Sequence, residues 1–507
     1  YVGPEQEYFL VDKEKYLKRP DLIYSGRTLF GAPAPKGQEM DDQYFGAIPP
    51  RVKAFMEDID AKLWKLGITA KTEHCEVAPG QFEIAPIFSI SNVALDNNLL
   101  VMDILKKTAR QHGLICLLHE KPFDGINGSG KHNNWSLTTD DGINLFKPGK
   151  KPENNSLFQL VLACTMAAVD AHAVLLRLAA SNTGNDHRLG ANEAPPAIIS
   201  MYLGDQVGDV VDQIIKNGEA TSSLSSGEID FGIKKLPKLE KDPTDRNRTS
   251  PFAFTGNRFE FRMVASSNTI GDVNTVLNAM MAEQFEKAVE VLSKADDFET
   301  AVTEYTAKLM REHQRIIFNG NGYSEEWPVE AEKRGLPNCK SIVDAIPALL
   351  DDTTIEMYGK FGILSKAELA ARKEILFEQY AGVRNIEALT MVDMANKLII
   401  PATVKYTKEL ADTVLAVKEA GVDATIQAEM LADATAKLAE MKKAVKNLSE
   451  VTEKAANAGD AQAVAVAYKD EVMEAMAELR KPADELEVVM PKEEWPMPTY
   501  GDLVFEL

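Results

Sequence analysis

Residues 256 to 263 read GNRFEFRM, a run in which Arg258, Glu260 and Arg262 alternate with Phe259, Phe261 and Met263. A period of two belongs to a β-strand, whose successive side chains point to opposite faces. One face of such a strand carries two guanidiniums with a carboxylate between them, and the other carries two phenylalanines and a methionine. The chain must therefore build a sheet with a buried side and a charged side. The charged side has two readings. It is a solvated face on an edge strand, the ordinary fate of charged residues, or it is the floor of a cleft for phosphate or carboxylate, groups that match the planar fork of arginine.

The other strand signals supply the partners that such a floor needs. In PEQEYFLVD, residues 4 to 12, Glu5 and Glu7 stand two apart at the head of an apolar run, hence on one face of a strand. TEHCEVAPGQFEIAPIF, 72 to 88, breaks at Pro79-Gly80 into two extended segments with Glu76 and Glu83 on either side of the turn. Two carboxylates brought together by a hairpin repel unless a cation lies between them. After the apolar LICLLHE, 114 to 120, the residues from Gly125 to Lys131 spell GxxxxGK. His132 stands where a P-loop needs Ser or Thr for magnesium, so the P-loop is rejected. The glycine-rich loop leads instead into a strand with His132, Asn134 and Ser136 on one face, and Asp141-Gly142 turns the chain back through Ile143 to Phe146. Each of these runs, taken alone, also has a plain structural reading: strand-end glutamates, a surface hairpin, a structural histidine.

Helical spacing fills most of the remainder. It predicts helices over 50–66 and 91–113, a buried apolar helix over 156–180, and a long one over 274–318 broken near Asp296 and Asp297. Residues 13–50, rich in Pro, Gly and Asp, form a long excursion. The segment 181–199, with Arg188 and Glu193, has the composition of a positioned flap, and a second polar stretch, 227–254, holds Arg246 and Arg248 and leads into the strand at 256–263. Further on, a heptad places Leu431, Leu438, Val445 and Thr452 at one position and Ala434, Met441 and Leu448 at the other, which suits an antiparallel bundle or an extended coiled coil. Trp495 to Leu507 reads as an ordered tail that docks on the rest. The expected fold class is α+β, with a strand-bearing part over 1–300 and a mostly helical part over 301–507.

A net charge of -21 over 507 residues argues against nucleic acid or an anionic membrane surface as partner. Such a chain binds anions through local arginines or metal ions. Cys75, Cys116, Cys164 and Cys339 are scattered without CxxC spacing, which points to neither disulfides nor zinc and fits a reducing cytoplasm. No apolar run approaches the ~18 residues that span a bilayer. Glu5, Glu7, Glu76, Glu83, Glu260 and His132 together make a hard, oxygen-rich ligand set for Mg²⁺ or Mn²⁺. With Arg188, Arg246, Arg248, Arg258 and Arg262 they would neutralise a nucleotide triphosphate, and the chemistry indicated is phosphoryl transfer.

In the order and wording of these motifs, from about residue 3 to 290, the sequence resembles glutamine synthetase and is most similar to its type III class. The resemblance implies a barrel-like catalytic domain of antiparallel strands with flanking helices, holding ATP and two divalent metals, Mg²⁺ or Mn²⁺. It implies Glu7, Glu76 and Glu83 on the first metal and Glu5, His132 and Glu260 on the second. Asn127 and Gly128 resemble the glutamate-binding loop, and Arg188 and Arg262 the glutamate-binding arginines. Arg248 and Arg258 resemble the nucleotide-phosphate arginines, with Asn134 and Ser136 on the nucleotide side. Glu193 matches the flap glutamate that takes a proton from ammonium, so the catalytic group expected is Glu193, Arg188 and Arg248. The reaction implied is ATP-dependent ligation of ammonia to the γ-carboxylate of L-glutamate through γ-glutamyl phosphate, in a cytoplasmic homo-oligomer of stacked rings. The alternatives are a non-catalytic scaffold of the same family and a ligase that joins glutamate to another amine.

The sequence departs from the family pattern in three places. The gap from Arg188 to Glu193 is one residue shorter than usual, and Ala253 stands five residues after Arg248, where other classes carry a further phosphate arginine. The family's N-terminal β-grasp domain is not among these residues, so the chain alone is expected to bind metal and nucleotide but to turn over poorly.

Overall fold

The computed structural model describes residues 1–190, 194–224, 228–229, 239–240 and 247–507. Its strands are β1 (Val2–Asp12), β2 (Ala70–Cys75), β3 (Gln81–Pro86), β4 (Leu114–Leu117), β5 (Gly130–Trp135), β6 (Met201–Tyr202), β7 (Glu228–Ile229), β8 (Leu239–Glu240), β9 (Phe252–Phe254) and β10 (Phe259–Ala265). β7 and β8 pair only with each other, and the rest form one sheet in the order β2-β3-β1-β5-β10-β9-β6. β1 is long enough to serve two neighbours on one side: Val2–Gln6 pairs with β5, and Phe9–Asp12 pairs with β4. Every pair in this sheet is antiparallel except β6 with β9.

The edge-strand reading of residues 256–263 is overturned. β10 lies inside the sheet between β5 and β9, and every one of its residues is buried. Its apolar face packs into the main core, where Phe259 stacks on Phe252 with ring centroids 4.5 Å apart. The helices Ser156–Ala171 and Gly271–Leu292 contribute to that same core. A second core lies under β1 and β3, where Tyr8, Leu10, Phe82 and Ile84 meet the helices Pro50–Lys65 and Ser91–Gln111. Phe9 and Val11 continue the face of Glu5 and Glu7 along β1. They are covered by the short helix Tyr500–Phe505, so the tail docks beside the charged face.

One helical expectation changes. The apolar run 156–180 is not one helix but two, Ser156–Ala171 and Ala173–Ala179, bent by 78°. The bend falls at His172, whose Nε2 lies 3.1 Å from Glu283 Oε2, so a polar contact competes with helix continuation there. Among the described residues no single helix is long and apolar enough to cross a membrane. The run 274–318 breaks where expected, into Gly271–Leu292 and Phe298–His313, with Asp297 capping the second through Thr300 N. At Asp141-Gly142 the chain turns back as expected, with Thr139 N donating to Ile143 O, Leu145 N donating to Leu137 O and an antiparallel bridge between Thr138 and Asn144.

The heptad lies on the helix Thr425–Ala456, which packs against Ile400–Glu419 and Met473–Val489. Lys437 contacts Glu485, Asn447 contacts Glu478 and Lys454 contacts Glu471. As one residue number rises its partner's falls, so the helices run antiparallel and the bundle reading holds over the extended coiled coil. The bundle is tied to the first part of the chain by a buried ion triad. Glu387, on the helix Lys366–Met394, accepts from Arg27 Nε (2.6 Å), Arg27 Nη2 (3.0 Å) and Arg384 Nη1 (2.8 Å).

Candidate active site

Strand register brings the acidic residues together. His74 on β2 stands opposite Glu83 on β3, and Glu83 stands opposite Glu7 on β1. Glu5 on β1 stands opposite His132 on β5, and Asn134 on β5 stands opposite Glu260 on β10. Directly opposed residues share a face with Cβ atoms ~5 Å apart. A band of carboxylates and imidazoles therefore crosses five strands of the sheet. Glu7, Glu83, Glu260 and His132 in this band are buried, as is Glu76 just beyond β2.

The contacts along this band are direct. His132 Nδ1 lies 2.9 Å from Glu5 Oε2 and 3.2 Å from Glu260 Oε1. Arg262 Nη1 donates to the same Glu260 oxygen at 2.8 Å. At the other end Asn134 Nδ2 donates to Glu5 Oε1 at 2.9 Å, while Asn134 Oδ1 accepts from Arg258 Nε at 2.9 Å. An unbroken polar chain thus runs from Arg258 through Asn134, Glu5, His132 and Glu260 to Arg262. Beside it His74 Nε2 lies 3.1 Å from Glu83 Oε1, and His74 Nδ1 lies 3.6 Å from Glu76 Oε1. Glu7 Oε1 is 3.7 Å from His132 Nε2, and Glu7 Oε2 accepts from Gly130 N at 2.6 Å.

This arrangement fits divalent metal. Ligand atoms of Glu5, Glu83 and His132 lie within 4.8 Å of one another, as do those of His74, Glu76 and Glu83. His132 Nε2 is buried with no hydrogen-bond partner among the described residues. Buried carboxylates this close need a cation. Burial raises the Glu83 carboxyl, and the charges of Glu5 and Glu7 add to that against the bond from His74. Burial also lifts Glu5, but His132, Asn134 and Arg262 outweigh it and hold Glu5 at about 2. Burial and Arg262 pull His132 down, yet Glu5 and Glu260 prevail and raise it to about 9. The bond to Glu83 raises His74 to about 9 as well. Protonated imidazoles therefore stand where a cation is required. Metal must displace those protons, so Mn²⁺ affinity is expected to rise with pH up to about 9. Calorimetry in buffers of different ionisation enthalpy will read the proton release, and a binding heat independent of buffer would contradict it.

The remaining predicted residues fall in several places. Asn127 is clamped by Gln38, whose Nε2 donates to Asn127 Oδ1 and whose Oε1 accepts from Asn127 N, each at 2.8 Å. Gln81 Nε2 donates to Gly128 O at 2.9 Å, and a Cβ on Gly128 would meet Glu120 O at 2.3 Å, so the loop has one tight seat. The chain runs from this loop into β5 and not into a helix, consistent with rejection of the P-loop. Arg248 lines a cavity of about 240 Å³ with Gln38, Tyr44 and Asn127. Ser136 lies one residue beyond β5 and exchanges backbone hydrogen bonds with Tyr1. Glu193 and Arg246 lie outside the described residues.

Arg188, expected against glutamate, is buried, with its guanidinium against Gly130 of β5 and within reach of the charge of Glu7. The register between β5 and β10 shifts between Phe261 and Val264. Such a bulge leaves carbonyls without ladder partners, and Arg188 Nη1 and Nη2 approach the carbonyls of Arg262, Met263 and Val264 at 3.2 to 3.5 Å. Asn185 Nδ2 adds a bond to Met263 O at 2.7 Å.

Three residues of the site were not singled out in the sequence. His74 had a signal, since it stands two before Glu76 at the end of a strand. Gln81 and Gln38 had none, because an amide's partners across the fold leave no local pattern.

The glutamine synthetase catalytic domain matches residues 1–200, and the glutamine synthetase C-terminal domain matches residues 301–418. The chain is 45% identical over 517 residues to a glutamine synthetase of Butyrivibrio fibrisolvens, covering 100% of this chain and 72% of that one. It is 42% identical to the type-3 glutamine synthetase of Dictyostelium discoideum, covering 99% and 70%, and 41% identical to a glutamine synthetase of Bacteroides fragilis, covering 99% and 71%. With a sheet that gathers the motif residues on one face, and with this identity held along its whole length, the chain belongs to the glutamine synthetase family.

Proposed function

We propose that this chain catalyses the ATP-dependent ligation of ammonia to the γ-carboxylate of L-glutamate, giving L-glutamine, ADP and phosphate. The observation that carries the reading is the polar chain from Arg258 to Arg262 through Glu5, His132 and Glu260. It sets a cation for each of two anionic substrates at either end of a metal-ligand set. Glu5, His132 and Glu260 would hold one Mg²⁺ or Mn²⁺, and Glu7, Glu76 and Glu83, with His74 beside them, another. Bound there, the metals supply positive charge against the phosphate oxygens of ATP.

The rest follows from the chain's own groups. Arg258 and Arg248 bind nucleotide phosphates, while Arg262 and the Asn127-Gly128 loop bind glutamate, a pairing that holds donor and acceptor in line. Arg188, set against Gly130 and near Glu7, joins Arg262 and that loop on glutamate while it also satisfies the bulged backbone beside Arg262. A γ-carboxylate is a poor electrophile, so its oxygen first takes the γ-phosphoryl group of ATP. Ammonia then attacks the acyl carbon, and the C–O bond to phosphate breaks. Ammonium must lose a proton before it attacks, and Glu193 accepts it. We assign this chemistry to residues 1–300, with 301–507 as helical support, in a cytoplasmic homo-oligomer built of rings. The four cysteines are free, in keeping with a reducing compartment.

The test is Glu193→Ala. Glutamine formation from ammonium is expected to fall by about 10²- to 10⁴-fold, the range lost with a proton-transfer group, while ATP binding persists. Unchanged glutamine formation would sink the assignment. Phosphate release with glutamate plus ammonium should also exceed that with glutamate plus methylamine or ethylamine, and the reverse order would favour the amine ligase.

A further inference from the structure

Away from the metal-ligand band, a cavity of about 230 Å³ opens where the β4–β5 connection meets the helical bundle. Arg27, Lys121, His187 and Arg480 line it, with Met391, Met473 and Met476 forming its apolar wall. Each polar group keeps donor capacity in reserve. Arg27 commits Nε and Nη2 to Glu387, and its Nη1 has no hydrogen bond among the described residues. Arg480 commits Nε to Asp484 at 2.7 Å and Nη2 to Gly31 O and Tyr500 OH. Its Nη1 has only Asp124 Oδ2, at 3.7 Å, and that carboxylate is 69% exposed. Lys121 Nζ donates to Ile126 O, and among the described residues no carboxylate lies within ion-pair distance of it.

His187 completes the set. Its Nε2 receives Arg384 Nη1 at 2.7 Å. A guanidinium only donates, so Nε2 must be the acceptor and the ring proton sits on Nδ1. Burial, reinforced by Arg27 and Arg384, keeps this imidazole neutral, so it offers a donor without adding charge. Counting Arg384, four cations face three carboxylates: Glu387, Asp484 and the largely solvated Asp124. The space of about 230 Å³ is enough for a phosphate group or a short dicarboxylate.

We infer that this cavity is a binding site for a small polyvalent anion, held by Lys121, Arg480, Arg27 and His187 Nδ1–H. The methionine wall, soft and adaptable, lets it take a short apolar stem behind the charged head. Two walls also touch the proposed catalytic machinery. Lys121 holds Ile126, the residue before Asn127, and His187 precedes Arg188. The inference is independent of the reaction proposed above, because its test reads binding and not turnover.

The full chain with ¹³C-methyl methionine is titrated separately with inorganic phosphate and with succinate at millimolar concentration. The expected result is a saturable shift of the Met391, Met473 and Met476 signals with one probe or both. Phosphate alone assigns the site to phosphate esters, and succinate alone to dicarboxylates. Lys121→Gln keeps a donor for Ile126 O but removes the charge, and Ala477→Glu places a carboxylate at the exposed rim without deleting any bond. Each should weaken binding by about tenfold or more, equivalent to roughly 1.4 kcal/mol. Methionine signals that stay fixed with both probes, or that shift equally in wild type and both variants, would overturn the inference.

Discussion

Replacing Glu260 with alanine should lower glutamine formation by about 10³-fold or more, the scale lost with a group that organises charge in a transition state. The reason is the number of contacts one carboxylate oxygen makes. Glu260 Oε1 is 3.2 Å from His132 Nδ1 and accepts from Arg262 Nη1 at 2.8 Å, and the residue is 3% exposed. Alanine removes a proposed metal ligand and releases Arg262, leaving two cations to face each other. Most of the loss should appear in kcat, since the lost interactions bear on the transferring phosphoryl group. Glu260→Gln separates folding from chemistry: it keeps shape and a hydrogen-bond partner for Arg262 but is a poor ligand for Mn²⁺. A folded Glu260→Gln protein with wild-type turnover would contradict the role given to this carboxylate.

Glu387→Ala should cost about 3 to 5 kcal/mol of stability, the penalty for leaving buried charge uncompensated. Glu387 is 1% exposed and accepts three bonds from Arg27 and Arg384. Its removal strands two guanidiniums between the sheet-bearing part and the bundle. Burial alone would raise this carboxyl, but the two arginines outweigh it and hold it well below the ordinary carboxylate range. A depressed carboxylate contributes stability that is present above its unfolded value and is lost as pH falls through the folded one. The triad is therefore at full strength at neutral pH and fails only in strong acid. Urea unfolding at neutral pH reads the effect, and an unchanged midpoint would refute it.

Much of the site was legible because strands expose their period. Glu5 and Glu7, two apart, had to share a face, and the alternation over 258–263 had to produce a charged face on one strand. Register was not legible. That Glu5 meets His132, and that Asn134 meets Glu260, depends on the order β1-β5-β10, which joins strands more than 100 residues apart in sequence. The shift between Phe261 and Val264 was equally hidden, and with it the placement of Arg188 on backbone carbonyls. The helical run 156–180 misled because apolarity continues through His172, and only the distant Glu283 marks the bend. In the bundle the heptad named most of the buried positions but could not choose between a partner chain and neighbouring helices, a choice set by tertiary contacts.

Pulsed electron paramagnetic resonance of the Mn²⁺-loaded chain tests most directly whether the band that crosses the sheet at Glu5, Glu7, Glu83, His132 and Glu260 holds metal. The prediction is two coupled Mn²⁺ ions with ¹⁴N modulation from a coordinating imidazole, the modulation being lost or sharply reduced in His132→Leu. A single uncoupled ion, or nitrogen modulation that persists unchanged in His132→Leu, would contradict it.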